Sequence, residues 1–437
     1  MSPGVRPPTG IALGSMAAGA AAAALLTMLV LPGATEGVTV GATLLGFGLG
    51  WAMLRVCSSR TSSPQPWAAI PAVAMVSTGA ALMAVAPSDH TMNTLTWVWP
   101  PLALALSVWT YLRMQRDLTG PGRWLVTVAL VLLAVASVGA GVRNIATDSF
   151  ANTYPAPGGI YSVGDHDLHL DCRGQGQPTV VLISGLGEFS GSWARILDGV
   201  APTTRVCAYD RAGQGWSDDV DHPQDGIAAA ADLHALLAAA GETGPFVLVG
   251  HSIGGPYAMT YAANHAVEVA GMVLLDSTSP EQFTAIPSYP IQYAMMRRAY
   301  AVMPTLARLG LGVALAGSHL PADDAAPVDA MSAMPRAGRN ARDELSMLPV
   351  VFEQARALTT LGGRPLVVLT SAENARDTDG WSEAQVDMAG LSSNAVTHEA
   401  AASHAGIVED QGGAAASVQA ITSVVQAVRT GTPLATR

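Results

Sequence analysis

The sequence predicts an all-α transmembrane bundle of about five helices, followed by an α/β domain with a mostly parallel sheet and a helical cap. Three observations predict it. Half of the 437 residues are hydrophobic and the mean hydropathy is +0.32, too apolar for an ordinary water-soluble chain of this length. The excess is concentrated before about residue 145, in long Ala/Leu/Val/Gly stretches. Beyond it, short apolar runs alternate with amphipathic ones between Gly, Pro and Asp, the pattern of strands alternating with helices. The composition break sets the expected boundaries: a transmembrane region over 1–145, a linker over 146–159 and an α/β domain over 160–437.

Five stretches are candidate spans: 11–31, 38–57, 67–86, 95–112 and 124–142. Each approaches the ~20 residues a helix needs to cross the hydrocarbon core. Charges occur only in their last few residues, so no ion or proton pathway is suggested. Trp51, Trp67, Trp97, Trp99, Trp109 and Trp124 fall near their ends, where indole rings favour the interface. Pro100-Pro101 requires the fourth span to kink or to start late. A cleaved signal peptide would account for the first stretch alone, and four more follow it.

The chain has no lysine, so arginine sets the topology. Arg6 precedes the first span, Arg55 and Arg60 follow the second, and Arg113, Arg116 and Arg123 follow the fourth. The other two loops carry Glu36 and Asp89 and no arginine. The positive-inside rule then places the N-terminus in the cytoplasm and the domain after five spans outside it, with Arg143 the one dissenting charge. A multi-pass protein of the cell membrane is expected.

In the second part, 160–163 and 166–172 alternate around a Gly-Asp turn and read as a hairpin. Buried strands are expected at 178–183, 204–209, 246–249, 269–275, 364–370 and 394–399. Helices are expected at 192–200, 226–240, 256–263, 381–391 and 414–428. Between 277 and 362 the alternation stops, and helical runs at 293–309 and 339–358 flank an acidic turn at Pro321–Pro327. This is the expected cap. Its methionines, among them Met295, Met331 and Met334, suit either an adaptable apolar pocket or an ordinary helical core.

One stretch carries chemistry. Gly250-His251-Ser252-Ile253-Gly254-Gly255 follows the strand Phe246–Val249 and opens a helix. A G-x-S-x-G between strand and helix is a nucleophile elbow, whereas a bare G-x-S-x-G is an ordinary turn. Glycines flank Ser252 because side chains there would meet neighbouring backbone, and the helix N–H groups beside it suit an oxyanion.

With Ser184-Gly185-Leu186-Gly187, the run Tyr209-Asp210-Arg211-Ala212-Gly213-Gln214-Gly215-Trp216-Ser217-Asp218 and Ser403-His404-Ala405-Gly406-Ile407, in this order, the second half resembles the α/β-hydrolase superfamily from about Gly158 to Val428. The transmembrane part has no counterpart in that resemblance. It implies a triad in the order Ser, acid, His. Ser252 is then the nucleophile and His404, in the loop after the last strand, the base. His398 falls too early, within the strand, and His251 is expected to point away from Ser252. The acid is Asp276, at the end of its strand, with Asp377 and Glu373 as alternatives in the loop where most members carry it; Asn374 stands about where an Asp is usual. The oxyanion donors implied are the N–H groups of Leu186 and Ile253. The family's usual strand order makes the strands of Cys172 and Cys207 neighbours, and an extracytoplasmic domain would join them in a disulfide, leaving Cys57 free.

The function expected is a membrane-anchored serine hydrolase that cleaves an ester or related acyl bond of a small-molecule or lipid-like substrate through an acyl-enzyme. Amidase and peptidase activities fit the same residues. A serine at the elbow argues against dehalogenase and epoxide hydrolase chemistry, which use Asp there. The competing class is a non-catalytic membrane receptor or scaffold on the same fold, against which the Ser252 and His404 pair stands. No metal cluster or cofactor motif is recognisable, and a net charge of −11 argues against nucleic acid.

Overall fold

The computed structural model describes residues 8–118, 121–220 and 222–435. Arg6 lies outside them. The chain divides into two compact units. The first comprises residues 1–150 together with 297–312, and the second 151–296 and 313–437.

The first unit is helical. It contains α1 (Pro8–Leu25, extended by a π-turn to Val30), α2 (Glu36–Ser58), α3 (Ala69–Val85), α4 (Asp89–Leu95), α5 (Trp99–Asp117) and most of α6 (Pro121–Thr153). Four helical stretches, Thr9–Val30, Glu36–Ser58, Pro66–Val85 and Gly122–Ala146, are long and apolar enough to cross a membrane. A fifth is made if α4 and α5, bent by 51° at their break, count as one. Pro100 and Pro101 lie in the first turn of α5, where their missing N–H groups have no intrahelical partner to lose.

Small residues let these helices meet. A Cβ on Gly46 would come within 2.3 Å of the Ala23 backbone in α1, and one on Gly41 within 2.8 Å of Gly79 O in α3. Without a hydrophobic force between helices in lipid, such close backbone contact supplies the packing. Segments 58–67 and 109–118 meet at one end of the unit, where Ser63 and Gln65 bond the Asp117 carbonyl. At another place Arg308 forms a bidentate pair with Glu36 (2.7 and 2.6 Å) and bonds Thr96.

The expected linker over 146–159 needs correction. α6 continues to Thr153, because no Gly or Pro interrupts the chain between Gly141 and Pro155.

The second unit is an eight-stranded sheet in the order β1-β2-β4-β3-β5-β6-β7-β8. The strands are β1 (Gly159–Val163), β2 (His166–Arg173), β3 (Thr179–Ile183), β4 (Val206–Tyr209), β5 (Phe246–His251), β6 (Val269–Leu275), β7 (Leu366–Ser371) and β8 (Ala395–Ala400). β2 runs antiparallel to both neighbours and the strands from β4 onward are parallel. Between them run α7 (Ala194–Val200), α8 (Gly226–Ala239), α9 (Gly254–Asn264) and, after β6, α10 (Gln282–Ala285), α11 (Tyr289–Arg308), α12 (Gly312–Leu315), α13 (Ala322–Ser332) and α14 (Pro335–Ala355). α15 (Ala372–Asp377), α16 (Trp381–Ala389), α17 (Gly406–Glu409) and α18 (Gln411–Thr430) complete the chain. One face of the sheet buries Val180, Leu182, Val247, Val249 and Val273 against Trp193, Ile196, Ile421 and Val424.

Within the cap, the acidic turn expected at Pro321–Pro327 is instead the start of α13. Pro321 at its N-cap and Asp323 and Asp324 in its first turn are favourable at a helix N-terminus. Met331 and Met334 are buried, whereas Met295 is exposed. α11 is divided between the units, residues 289–296 belonging to the second and 297–308 to the first.

Candidate active site

The loops after β3, β5, β6, β7 and β8, five neighbouring strands, supply the site. Ser252 follows β5 with φ 53°, a left-handed conformation that costs a non-glycine residue roughly 1–2 kcal/mol. Bonds to the next strand hold it there: Ser252 N donates to Leu275 O (3.2 Å), while Thr278 N (2.9 Å) and Ser277 Oγ (3.1 Å) donate to Ser252 O. The turn leaves no room for side chains. A Cβ on Gly254 would fall 2.1 Å from Ile183 O, and one on Gly255 1.5 Å from Ser277 Oγ.

Asp276, directly after β6, is wholly buried. Its Oδ2 accepts from His404 Nδ1 (2.6 Å), Ser371 Oγ (2.7 Å) and Asn374 Nδ2 (2.7 Å). Its Oδ1 accepts from Ser371 N (3.0 Å) and Trp381 Nε1 (2.9 Å). Burial alone would raise this carboxyl, but the bonds from His404 and Ser371 outweigh it and hold the group below its ordinary range. A carboxylate on Nδ1 fixes the imidazole tautomer whose Nε2 can accept a proton.

The other candidate acids do not reach the ring. Asp377 pairs with Arg376 beside it in the chain, at an exposed position. Glu373 accepts from the His404 backbone N–H (2.8 Å). Asn374 occupies the place expected of an acid and donates to Asp276 instead. His398 is exposed on β8.

His251 bonds no atom of Ser252 among the described residues and lies against His404: its Nε2 donates to the His404 carbonyl (3.0 Å), and the two rings lie 4.8 Å apart. Its Nδ1 meets Glu188 Oε2 (2.8 Å), which also accepts from Gly185 N (2.8 Å). Burial alone would lower the His251 pKa, yet Glu188 drives it upward, and Glu188 is held low in turn by His251. The pair joins buried His251 to a partly exposed Glu188 directly behind His404.

The loop 184–187 is braced from outside. Arg211 donates to Ser184 O (2.7 Å), Gly185 O (3.0 Å) and Glu344 Oε1 (2.8 Å), and Glu344 Oε2 accepts from Gly187 N (3.1 Å). Among the described residues the N–H groups of Leu186 and Ile253 have no acceptor, so both remain available as donors. Asp210 braces the next turn through Ser190 N (2.6 Å) and Trp216 N (2.8 Å), and pairs with His169 (2.9 Å).

Cys172 and Cys207 are register partners on β2 and β4 and form a disulfide with Cα atoms 4.0 Å apart; Cys57 is a free, exposed thiol. Sequence reasoning missed Glu188, Ser371, Trp381 and Glu344. It also missed the group His234, His265 and Glu268, whose ligand atoms lie within 4.8 Å of one another. The two imidazoles there stack with planes 9° apart, so their in-plane lone pairs do not converge on one ion. A cavity of about 280 Å³ lined by Tyr154, Asp171, Ser190 and Trp216 includes none of Ser252, Asp276 and His404.

A family model for the alpha/beta hydrolase fold matches residues 178–309. An uncharacterized protein of Schizosaccharomyces pombe is 35% identical over 155 residues, 28% of this chain and 29% of its own. An uncharacterized vacuolar membrane protein of Saccharomyces cerevisiae is 29% identical over 134 residues, 26% of this chain and 21% of its own. The chain spans from about a fifth to about half of the length of the curated relatives it matches. The solved structure of haloalkane dehalogenase DbeA from Bradyrhizobium elkani covers 63% of this chain and 99% of its own, with a TM-score of 0.53 and 18% identity. With the sheet order and the matched family model, the C-terminal part of this chain has the α/β-hydrolase fold, and it follows an all-helical region with four or five helices apolar enough to cross a membrane.

Proposed function

We propose that the protein is a membrane-anchored serine hydrolase that cleaves an ester or related acyl bond. The observation that carries this reading is the 2.6 Å bond from His404 Nδ1 to buried Asp276, beside an elbow that holds Ser252 at φ 53°. In this reading His404 Nε2 takes the proton of Ser252 Oγ as the oxygen attacks the acyl carbonyl. The N–H groups of Ile253 and Leu186 receive the developing oxyanion, and Asp276 stabilises the imidazolium. His404 then protonates the leaving alcohol. Water, deprotonated by the same nitrogen, releases the acid and restores Ser252.

The reading includes an extracytoplasmic hydrolase domain and a cytoplasmic N-terminus. Its supports are the arginine distribution and the Cys172–Cys207 disulfide, a bond that persists in oxidising compartments. A fluorophosphonate probe applied to membranes tests the chemistry. Labelling of the wild type that disappears in Ser252→Ala is the expected result. A wild type that stays unlabelled, although folded, sinks the proposal.

A further inference from the structure

Glu344 bonds none of Ser252, Asp276 and His404 among the described residues, yet it closes the network around the loop 184–187. A peptide unit is planar and trans, so its C=O and N–H point to opposite sides. That rule fixes three successive units of the loop. In the first, Ser184 O accepts from Arg211 Nη1 (2.7 Å) while Gly185 N donates to Glu188 Oε2 (2.8 Å). In the second, Gly185 O accepts from Arg211 Nη2 (3.0 Å), so the Leu186 N–H in the same plane is turned away from Arg211. In the third, Gly187 N donates to Glu344 Oε2 (3.1 Å). Of the N–H groups of Gly185, Leu186 and Gly187, that of Leu186 alone has no acceptor among the described residues.

Both sides of this clamp meet at one carboxylate. Glu344 Oε1 accepts from Arg211 Nε (2.8 Å) and Gln214 Nε2 (2.7 Å), and its Oε2 takes Gly187 N. Arg211 and Glu344 are 4% and 12% exposed, so water and salt screen the pair little. The guanidinium of Arg211 also lies 4.6 Å from the centre of the Tyr257 ring on α9, the helix that the elbow opens. Glu344 stands on α14, in the cap, and α14 is fastened near both ends. Arg336 Nε donates to Gly213 O (2.9 Å), and Gln354 Nε2 donates to Asp225 Oδ2 (2.9 Å) at the N-cap of α8. Between them, a Cβ on Gly187 would lie 3.3 Å from Ala341 Cβ, one turn before Glu344 on the same face.

We propose that Glu344 is a positioning residue for the oxyanion hole: through Arg211 and Gly187 it holds the peptide planes on either side of Leu186, so that the Leu186 N–H faces the acyl oxygen. A donor already oriented needs no reorganisation as negative charge develops on that oxygen. The cap then contributes to the chemical step and not only to access. Without the carboxylate, Arg211 loses its partner, Gly187 N loses its acceptor, and both planes are released. The inference rests on the hydrolase reading above, in which Leu186 N donates to the oxyanion.

The test uses the full chain, with p-nitrophenyl acetate as substrate and a trifluoromethyl ketone as probe. Ser252 Oγ adds to the ketone carbon, the carbonyl π pair moves to oxygen as the oxyanion, and the hydroxyl proton passes to His404. Turnover is referred to the number of sites that a fluorophosphonate labels at completion. Glu344→Ala is expected to lower kcat about 10²-fold with KM nearly unchanged, and to weaken the ketone by the same factor, as loss of a transition-state contact does. Glu344→Gln keeps the shape and one acceptor but turns an amide NH2 toward the other donor, so a loss of about 10-fold in both is expected. Glu353→Gln, exposed on the same helix, is the control. A residue that merely supports the fold lowers the thermal midpoint and leaves kcat per labelled site and ketone affinity as they were. That result in Glu344→Ala overturns the inference while the hydrolase reading stands; if the alanine chain does not fold, Glu344→Gln decides in the same way. A rise in KM at constant kcat overturns it too, because it places Glu344 in ground-state binding. A wild type that neither hydrolyses nor labels overturns the hydrolase reading, and this inference with it.

Discussion

Three of the histidine–carboxylate pairs in the hydrolase unit, those of His404, His169 and His251, differ in the second ring nitrogen. His404 meets Asp276 at 2.6 Å, His169 meets Asp210 at 2.9 Å and His251 meets Glu188 at 2.8 Å, each through Nδ1. In His169 the far nitrogen is closed by the Pro157 carbonyl, and the whole side chain is buried. In His251 it is closed by the His404 carbonyl. In His404 that nitrogen bonds none of the described residues, and the side chain is 35% exposed. A carboxylate on one nitrogen therefore does not make a base. The same pair fastens backbone when the other nitrogen has a carbonyl, and can move a proton only when it is left open.

Substitutions can break this distinction. Asp276→Asn is expected to lower turnover about 10⁴-fold by removing the support of the imidazolium, while circular dichroism stays native. An active Asp276→Asn would show that the open pair is not the working one. His169→Gln is expected to do the converse. It breaks a buried pair and costs about 3–5 kcal/mol of stability, while whatever remains folded keeps its fluorophosphonate labelling. A folded but unlabelled His169→Gln would mean that the closed pair is part of the chemistry.

The same pair has a pH signature. Burial alone would lower the His169 pKa, but Asp210 outweighs it and the group titrates above its ordinary value. Its contribution to stability is then complete below about pH 6.5 and is lost as pH rises through the raised folded-state value. Thermal melts from neutral to alkaline pH should show that loss in the wild type and lack it in His169→Gln.

The smallest effect belongs to the intermediate pair. Glu188→Gln leaves the His251 ring buried without its carboxylate and loosens the carbonyl that fixes His404. A drop of about 10-fold to 10²-fold in kcat/KM is expected, since a displacement of this scale misaligns a base without removing it. No change in kcat/KM would make His251 a packing residue alone.

Much of this was readable before folding, and the reason is local. The elbow, the small-residue loop around His404 and the strand ending at Asp276 are each set by neighbours in sequence, so spacing exposes them. The surroundings of Asp276 are not: Ser371, Asn374 and Trp381 arrive from 95 to 105 residues further on. Glu188 meets His251 across 63 residues. A signal did exist, because a buried histidine next to Ser252 needs a partner and Glu188 follows the loop 184–187 directly. The end of α6 was misjudged because apolarity stops at about Val142 whereas helicity does not; only Pro155 ends it. Exposed positions such as Met295 were also unreadable, since a methionine in a helical run gives no sign of what covers it.

The pair of Arg308 with Glu36 has a consequence for biogenesis. Its partners are 272 residues apart. At about 5–20 residues per second, the ribosome needs on the order of tens of seconds to deliver Arg308 after Glu36. The first apolar helices emerge long before the segment that completes their bundle. When that segment arrives, β7, β8, Asn374 and His404 have yet to be translated. Closure of the bundle therefore becomes possible before the candidate site is complete, and this order confines a complete site to chains whose helical unit has already had the chance to assemble.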